Sequence, residues 1–182
     1  MKRICIFCGS HAGSEAYVAT ARHAAETIVG AGYGIVYGGG SIGLMGAVAD
    51  AALACGGEVI GVIPEALARA EIAHGGLAEL HVVKTMHERK ALMNERSDAF
   101  VALPGGFGTM DEFCEVLSWR QLRIHDRPIG LLNHRGYYDA LLALFDSMLV
   151  EGFIGPQTRR LFTDAGNVEE LLAKMFDVGS LA

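Results

Sequence analysis

Three apolar runs of this chain each end in a glycine-rich turn that leads directly into a helical pattern. The segments are "RICIFCGSHAGS" (3–14), "GIVYGGGSIGLMG" (34–46) and "FVALPGGFGT" (100–109). Apolar runs without polar alternation are typical of strands buried on both faces, which is the situation in a parallel sheet covered by helices. The recurring order of strand, turn and helix therefore predicts an α/β fold.

The same alternation extends along the rest of the chain. Further strands are predicted at "GEVIGVIP" (57–64), "LHVVKT" (80–85) and "PIGLLN" (128–133), and helices over 15–30, 44–55, 86–97, 109–123 and near 137–150 and 167–176. Residues 65–79 are less regular, and residues 152–156 are interpreted as only a loop before the last helix. Six or seven strands, each followed by a helix, predict a single Rossmann-like domain over residues 1–182, with helices on both faces of a parallel sheet.

Composition and charge exclude several classes of protein. The 182 residues fit one ordinary domain, and although 51% are apolar, no uninterrupted apolar run reaches the ~20 residues of a membrane span. The apolar stretch near the N-terminus is too short for a signal peptide, so a cytoplasmic location is expected. A net charge of −6 without a basic run argues against nucleic acid as a partner. An anionic ligand must then be held by backbone amides or single arginines.

Four cysteines are scattered along the chain. Cys5 and Cys8 form a C-x-x-C pair, but Cys5 lies inside a predicted strand, which favours buried free thiols over a redox pair. Cys55 and Cys114 form no second pair at zinc-finger spacing. We therefore expect neither a metal nor a cofactor.

The glycine-rich turns are the candidate ligand sites. Ligands of open α/β sheets bind outside the carboxyl ends of the strands, which is where these turns lie. Glycines let the backbone approach a ligand closely, and the helix that begins next directs free amides and a partial positive charge at it. Phosphate is the ligand that such a turn suits. The alternative is that the glycines only shape tight turns.

The second turn also fits a dinucleotide-binding fingerprint, Gly38-x-Gly40-x-x-Gly43. It follows the second strand rather than the first, and the acid expected after the next strand would be Glu65, which lies beyond Pro64. The chain contains no G-x-x-x-x-G-K-[ST] motif. The sequence therefore disfavours both a nicotinamide oxidoreductase and a P-loop ATPase.

Carboxylates follow the third turn at helical spacing. Thr109-x-x-Glu112 has the pattern of a capping box, in which the glutamate would reach back to the cap amide. The alternative is that Glu112 faces a ligand admitted by the glycines. Glu115 lies one turn on along the same face, whereas Asp111 lies off that face and is expected in solvent.

The segment "MHERK" (86–90) opens the preceding helix, close to the same edge of the sheet. Arg89 and Lys90 are candidates for phosphate binding, and the alternative is a solvated charged face shared with Glu88. His87 is a candidate base, although a lone histidine more often satisfies a local hydrogen bond.

Taken together, "CGS", "GGGSIGLMG", "MHERK" and "PGGFGTMDE", in this order and at this spacing, resemble a known family. The chain is similar over nearly its whole length to the LOG (lonely guy) family of cytokinin riboside 5′-monophosphate phosphoribohydrolases, which were often misnamed lysine decarboxylases. The resemblance implies a Rossmann-like fold, a homodimer, and hydrolysis of the N-glycosidic bond of N6-modified AMP and of AMP. The products would be the free base and ribose 5-phosphate.

The resemblance also implies site residues. The catalytic pair falls on Arg89 and Glu112. The nucleotide contacts fall on Glu71, Lys90, Gly106, Gly108, Thr109 and Ser118, and the turn and helix themselves add Gly105 and Glu115. The chain departs from the family pattern at His11, Phe107 and Asp111. Residues 66–77 are a variable region, so the preferred base stays open.

The chemistry of the implied reaction agrees with these residue types. Cleavage of the C1′–N9 bond generates an oxocarbenium-like ribosyl centre, which a carboxylate such as Glu112 can stabilise or supply with an activated water. An arginine stays protonated, so Arg89 is expected to orient the nucleotide or Glu112, or to stabilise the departing base.

Two other functions compete with this one. A pyridoxal phosphate-dependent lysine decarboxylase would need a cofactor-binding lysine, and the chain offers Lys2, Lys84, Lys90 and Lys174. A non-catalytic nucleotide- or molybdopterin-binding carrier would share the fold but would leave AMP intact.

The helix predicted over 109–123 has an apolar surface broader than one stripe. The apolar residues are Phe113, Val116, Leu117, Trp119 and Leu122. One face is expected on the sheet, and the remainder against a second subunit in a homodimer. The alternative is a helix buried within one subunit.

Overall fold

The computed structural model describes residues 1–68 and 73–176, and within these residues seven strands form one parallel sheet. The strands are β1 (Arg3–Phe7), β2 (Gly34–Tyr37), β3 (Val59–Pro64), β4 (Glu79–Val83), β5 (Ala99–Ala102), β6 (Ile129–Leu132) and β7 (Thr163–Ala165). Their order across the sheet is β4-β3-β2-β1-β5-β6-β7, and every neighbouring pair is parallel. The predicted parallel α/β fold is confirmed.

The helices follow the strands closely. They are α1 (Glu15–Gly30), α2 (Gly43–Ala54), α3 (Glu65–Ala68), α4 (Met86–Glu95), α5 (Phe107–Gln121), α6 (Asp139–Val150), α7 (Pro156–Arg159) and α8 (Val168–Phe176). The bounds predicted for the first helix, 15–30, are those of α1. The predicted helix over 109–123 is displaced by two residues, because the chain enters α5 already at Phe107.

Four short elements were not predicted. Helix α3 lies in the irregular segment 65–79, and a 3-10 turn at His134–Gly136 precedes α6. The loop at 152–156 was expected to lead into the last helix, but α7 and β7 come between them. Strand β7 has three residues, Thr-Asp-Ala, and so short a polar segment carries no periodic signal.

Two apolar cores lie on opposite faces of the sheet. The first contains Ile28 of α1, Val48 of α2 and Leu171 of α8. The second contains Met93 of α4 and Phe113 of α5, together with the side chains that α6 contributes. The inner strands β1, β2, β3, β5 and β6 are buried almost throughout, whereas the edge strands β4 and β7 are partly exposed. Burial on both faces explains why the inner strands have apolar runs without alternation.

The sheet reverses its winding direction between β1 and β5. From β1 the chain adds β2, β3 and β4 on one side, and from β5 it adds β6 and β7 on the other. The turns after β1 and β5 therefore leave neighbouring strands towards opposite faces and open a crevice between them, which is the usual ligand position in doubly wound sheets. The carboxyl ends of the two strands are level, with Phe7 opposite Ala102.

The cysteines are free thiols. Cys5 and Cys8 are buried, as predicted for a structural C-x-x-C, and Cys55 and Cys114 are exposed. No helix in the described ranges has both the length and the apolar character needed to cross a membrane.

Candidate active site between the β1 and β5 turns

A cleft of about 480 Å³ opens at the reversal point of the sheet. The turn after β1 and the start of α1 form one wall, and the turn after β5 and the start of α5 form the other. The start of α2 and Arg89 of α4 close the cleft, and Tyr137 lies at its rim. The lining residues are Cys8, Gly9, Ser10, His11, Ala12, Gly13, Tyr17, Leu44, Met45, Arg89, Pro104, Gly105, Gly106, Phe107, Gly108, Thr109, Glu112 and Tyr137.

Helix α5 presents its N-terminus to this cleft. Gly106 occupies the N-cap position, and the first helical hydrogen bond runs from the Met110 amide to the Gly106 carbonyl at 3.1 Å. The amides of Phe107, Gly108 and Thr109 therefore have no acceptor within the helix, as in the first turn of any α-helix. This arrangement, with the partial positive charge of the helix end, suits an anion.

The predicted capping box is wrong. Thr109 lies inside the first turn of α5 rather than at its N-cap. Its side chain is buried, with 2% exposure of the residue, and its Oγ1 finds no hydrogen-bond partner within residues 1–68 and 73–176. A buried hydroxyl in the lining of a cleft, without a protein partner, is available to a ligand.

The glycines of the third turn have two distinct roles. A Cβ added at Gly105 would lie 2.1 Å from Thr109 Oγ1 and 2.9 Å from the Gly9 amide nitrogen, so glycine permits the β1 and β5 turns to touch. A Cβ at Gly106 or Gly108 would meet no atom of the described chain within 4 Å. These two positions border the open cleft, where a side chain would occupy ligand space.

Arg89 and Glu112 form a buried ion pair in the wall of the cleft. Arg89 Nη1 lies 3.0 Å from Glu112 Oε1, and both side chains are almost fully buried. The guanidinium is fixed by Nε, which donates to the Val62 carbonyl at 3.1 Å, and by Nη1, which donates to Met86 Sδ at 3.4 Å. The predicted catalytic pair is therefore brought together in the cleft.

The second glycine turn makes room for this arginine. A Cβ at Gly38 would lie 2.0 Å from Arg89 Nη2, and a Cβ at Gly43 would lie 2.2 Å from the Ser10 carbonyl oxygen. Gly43 also has a φ of +63°, which side-chain-bearing residues rarely adopt. Close packing explains both glycines, because Gly38 lies against Arg89 and Gly43 lies against the β1 turn. The residues that follow Gly43, Leu44 and Met45, line the cleft.

Burial sets the protonation of Glu112. Loss of solvation raises the pKa of this carboxyl from 4.5 to about 7, with the nearby Arg89 guanidinium acting in the opposite direction. Although Nη1 of Arg89 is close, Oε1 accepts no well-aligned hydrogen bond from the described part of the protein. The carboxyl thus exchanges its proton near neutral pH, as a general acid or base requires.

The other charged residues predicted for the site lie outside the cleft lining. Lys90 Nζ is 3.0 Å from both Asp111 Oδ2 and Glu115 Oε1. Asp111 is exposed as expected, but it is paired rather than only solvated. Ser118 is exposed and its hydroxyl donates to the Cys114 carbonyl at 2.7 Å. Substrate contacts by Lys90, Glu115 and Ser118 stay predictions that this geometry does not favour, and Glu71 lies outside the described residues.

The charged residues of "MHERK" (86–90), at the start of α4, have different roles. Thr85 caps the helix, because its Oγ1 accepts from the Glu88 amide at 3.1 Å and Glu88 Oε2 accepts from the Lys84 amide at 2.9 Å. Glu88 is thus used in capping. Of the next two residues, Arg89 enters the cleft and Lys90 contacts the acids of α5. His87 is exposed and does not line the cleft.

Several lining residues were not anticipated from the sequence. Tyr17 and Tyr137 pack edge to face with ring centroids 5.5 Å apart, and the Tyr137 hydroxyl donates to the Gly105 carbonyl at 2.7 Å. Single aromatic residues outside a motif carry no sequence signal, and only the fold brings them to the rim. Among the described residues, no group of three or more His, Cys, Asp and Glu side chains is arranged to hold a metal ion.

The fold and the cleft define a doubly wound α/β protein with an anion-suited helix end and a buried carboxylate–arginine pair at its reversal point. A family model described as possible lysine decarboxylase matches residues 45–175. The chain is 52% identical over 174 residues to probable cytokinin riboside 5′-monophosphate phosphoribohydrolase LOGL1 of Oryza sativa subsp. japonica, covering 95% of this chain and 78% of that protein. It is 48% identical to cytokinin riboside 5′-monophosphate phosphoribohydrolase LOG1 of Arabidopsis thaliana, covering 97% and 83%.

These matches establish that the chain belongs to the LOG family of cytokinin riboside 5′-monophosphate phosphoribohydrolases. Solved structures with the same fold include a molybdenum cofactor binding protein from Rippkaea orientalis, at a TM-score of 0.73 and 18% identity over 98% of both chains. The molybdenum cofactor carrier protein of Chlamydomonas reinhardtii matches at 0.70 and 21% over 96% of both chains. At such identities the likeness shows the fold alone.

The raised pKa of Glu112 predicts a pH dependence of stability. Between pH 4.5 and about 7 the folded protein retains a proton at Glu112 that the unfolded chain has released, so the free energy of unfolding falls as the pH rises through this window. The loss is on the order of 3 kcal/mol, because one pKa unit corresponds to about 1.4 kcal/mol. Urea unfolding of wild type and Glu112→Gln across this range checks it. The stability of the wild type should decline relative to the variant, and parallel curves would contradict the assignment.

Proposed function

We propose that this protein hydrolyses the N-glycosidic bond of adenosine 5′-monophosphate and its N6-modified derivatives, releasing the free base and ribose 5-phosphate. The observation that carries the proposal is the buried Glu112–Arg89 pair, which lies in the same cleft as the open N-terminus of α5. The relatives that are about half identical to the chain carry the names of enzymes of this reaction.

The 5′-phosphate is assigned to the start of α5. The free amides of Phe107, Gly108 and Thr109 and the unpartnered Thr109 hydroxyl supply hydrogen-bond donors. Gly106 and Gly108 leave the space that phosphate oxygens need. Binding energy gained at the phosphate, remote from the bond that breaks, can then hold the ribose against Glu112.

The chemistry falls to Glu112. As the C1′–N9 bond breaks, its electron pair leaves with the base and positive charge develops on the ribosyl centre. The ionised Glu112 carboxylate stabilises that charge and accepts a proton from the water that adds to C1′. Transfer of this proton from Glu112 to the base nitrogen completes the balance, in which AMP and water give adenine and ribose 5-phosphate and Glu112 is ionised again. A pKa of about 7 lets Glu112 change protonation state within the cycle.

Arg89 holds the carboxylate in its reactive form and place. The positive charge of its guanidinium lowers the pKa of Glu112 and so favours the ionised carboxylate, against the burial that disfavours it. The contacts with the Val62 carbonyl and Met86 Sδ fix its direction. Arg89 therefore acts by charge and orientation rather than as a base.

The competing functions receive less support. No lysine of the described residues lines the cleft, and Lys90 is engaged with two carboxylates outside it, which disfavours a pyridoxal phosphate enzyme despite the family model's description. The likeness to molybdenum cofactor carriers lies at or below 22% identity and concerns the fold. A carrier also has no need of a carboxylate with a pKa near 7 beside an arginine.

Substitution of two glutamates on the same helix tests the catalytic assignment. Glu112→Gln keeps the shape of the side chain and removes its charge, so adenine release from AMP should fall by at least ~100-fold while AMP binding persists. Glu115→Gln makes the identical change one turn along α5, outside the cleft, and should leave release within about threefold of wild type. Steady-state kinetics, calorimetry with AMP and melting temperatures provide the measurements.

Each outcome of this comparison has a clear consequence. Near-normal release by a folded Glu112→Gln would overturn the role of Glu112. A loss in Glu115→Gln as large as that in Glu112→Gln, at unchanged melting temperature, would move the chemistry to the Lys90 side of α5. Arg89→Ala should lower turnover as well, with some loss of binding, because the nearby carboxylate loses its counter-charge.

We also infer that the protein is a homodimer in the cytoplasm. Phe113 and Val116 pack one face of α5 on the sheet, as predicted, whereas Leu122 and Ile124 just beyond its end are 69% and 63% exposed. Apolar surface of this kind favours a partner subunit. Light scattering at micromolar concentration should give twice the 19.4 kDa chain mass, and a monomeric mass would contradict the dimer. The exposed thiols of Cys55 and Cys114 suit a reducing compartment.

A further inference from the structure

Two adjacent tyrosines after β6 reach the turn that opens α5. The Tyr138 hydroxyl donates to the Leu103 carbonyl, and the Tyr137 hydroxyl donates to the Gly105 carbonyl, each at 2.7 Å. Tyr138 is buried and belongs to the apolar core on that face of the sheet. Tyr137 differs because it lies at the rim of the cleft, and it contacts the turn at the residue before the N-cap of α5.

The Gly105–Gly106 peptide joins two glycines at the start of α5. Glycines adopt many backbone conformations, so a peptide plane between two of them can rotate at little cost. In a trans peptide the carbonyl and the following amide point in opposite directions. A hydrogen bond from Tyr137 to the Gly105 carbonyl therefore also fixes the direction of the Gly106 amide.

The direction of this peptide decides what an anion meets. The partially negative Gly105 carbonyl oxygen now faces Tyr137 and accepts a hydrogen bond from its hydroxyl. In the opposite orientation the carbonyl would lose this donor, and the Gly106 amide at the N-cap of α5 would change direction. We propose that Tyr137 is a positioning residue that locks the Gly105–Gly106 peptide and so keeps the start of α5 competent for the 5′-phosphate. This inference rests on the phosphate site of the proposed function.

The surroundings of Tyr137 hold its hydroxyl in place. The ring packs edge to face on Tyr17, 5.5 Å away, and on Tyr138, 4.8 Å away. Asn133 braces the loop, because its Nδ2 donates to Asp139 Oδ1 and its Oδ1 accepts from the Tyr138 amide, both at 2.7 Å. A ring held from two sides has little rotamer entropy left to lose, so its hydrogen bond can act as a fixed restraint.

Tyr137→Phe tests the proposal, because it removes the hydroxyl and keeps the packed ring. Binding of ribose 5-phosphate, measured by calorimetry, should weaken by about three- to tenfold, which is the range expected for one neutral hydrogen bond. KM for AMP should rise by the same factor, while kcat stays within about twofold of wild type. A role confined to stability would lower the melting temperature and leave these binding constants unchanged.

Two further variants calibrate the measurement. Tyr33→Phe removes a tyrosine hydroxyl far from the cleft, where the ring stacks on Phe176 at 5.1 Å, and should leave binding and kinetics unchanged. Gly106→Val places a side chain where the chain leaves open space in the cleft, and should weaken ribose 5-phosphate binding more than Tyr137→Phe does.

The outcomes separate this inference from the proposed function. Unchanged ribose 5-phosphate binding by Tyr137→Phe, with weakened binding by Gly106→Val, would overturn the positioning role and leave the phosphate site intact. A fall in kcat without a change in KM would likewise overturn it, because the hydroxyl would then act on the reacting atoms. Absence of AMP turnover in the wild type would refute the proposed reaction, whereas the calorimetric comparison would still decide the role of Tyr137.

Discussion

The burial of one carboxylate beside one arginine is the interaction on which the rest of this site depends. Burial of an ionised glutamate costs desolvation free energy, and a single ion pair offsets that cost only when its geometry is fixed. The chain fixes it from three directions. Thr85 and Glu88 cap α4 and so set the start of the helix that carries Arg89, the Val62 carbonyl directs the guanidinium, and Gly38 leaves room for it. The residual cost of burial is seen in the pKa of Glu112, which is raised to about 7 and made useful for proton transfer.

The glycines of the turns after β2 and β5 contribute in different ways to the site that holds the Arg89–Glu112 pair. Those after β2 allow close packing, of Gly38 against Arg89 and of Gly43 against the β1 turn. Those after β5 bring two turns together at Gly105 and leave ligand space at Gly106 and Gly108. One helix, α5, serves both parts of the proposed function, because its first turn has free amides that suit an anion and its second turn carries Glu112. In the proposed function, phosphate binding and chemistry are therefore separated by one turn of helix.

The order of the inner strands and the long helices could be predicted from the sequence because the inner strands are apolar throughout, whereas α3, α7 and β7 are too short to give a periodic signal. The meeting of Arg89 and Glu112 could be expected from the motifs, since both follow strands that end at the same edge of the sheet. The roles of the residues near Arg89 and Glu112 could not be predicted from the sequence. Thr109 and Glu112 have the spacing of a capping box, but the Gly-Phe-Gly turn lets α5 begin two residues earlier and turns Thr109 inward. Lys90 follows Arg89 directly, yet a helix places consecutive residues about 100° apart, so it contacts the acids of α5 outside the cleft. Tyr137 reaches the site only through the packing of the β6 loop.

Hydrolysis distinguishes an enzyme from a carrier that only binds a nucleoside 5′-monophosphate in this cleft. The most direct test is incubation of the wild-type protein with AMP, or with an N6-modified AMP, followed by quantification of free base, ribose 5-phosphate, nucleoside and phosphate. We predict equal amounts of free base and ribose 5-phosphate, formed in proportion to time and to protein concentration. Tightly bound but intact AMP, or release of adenosine and phosphate, would contradict the account.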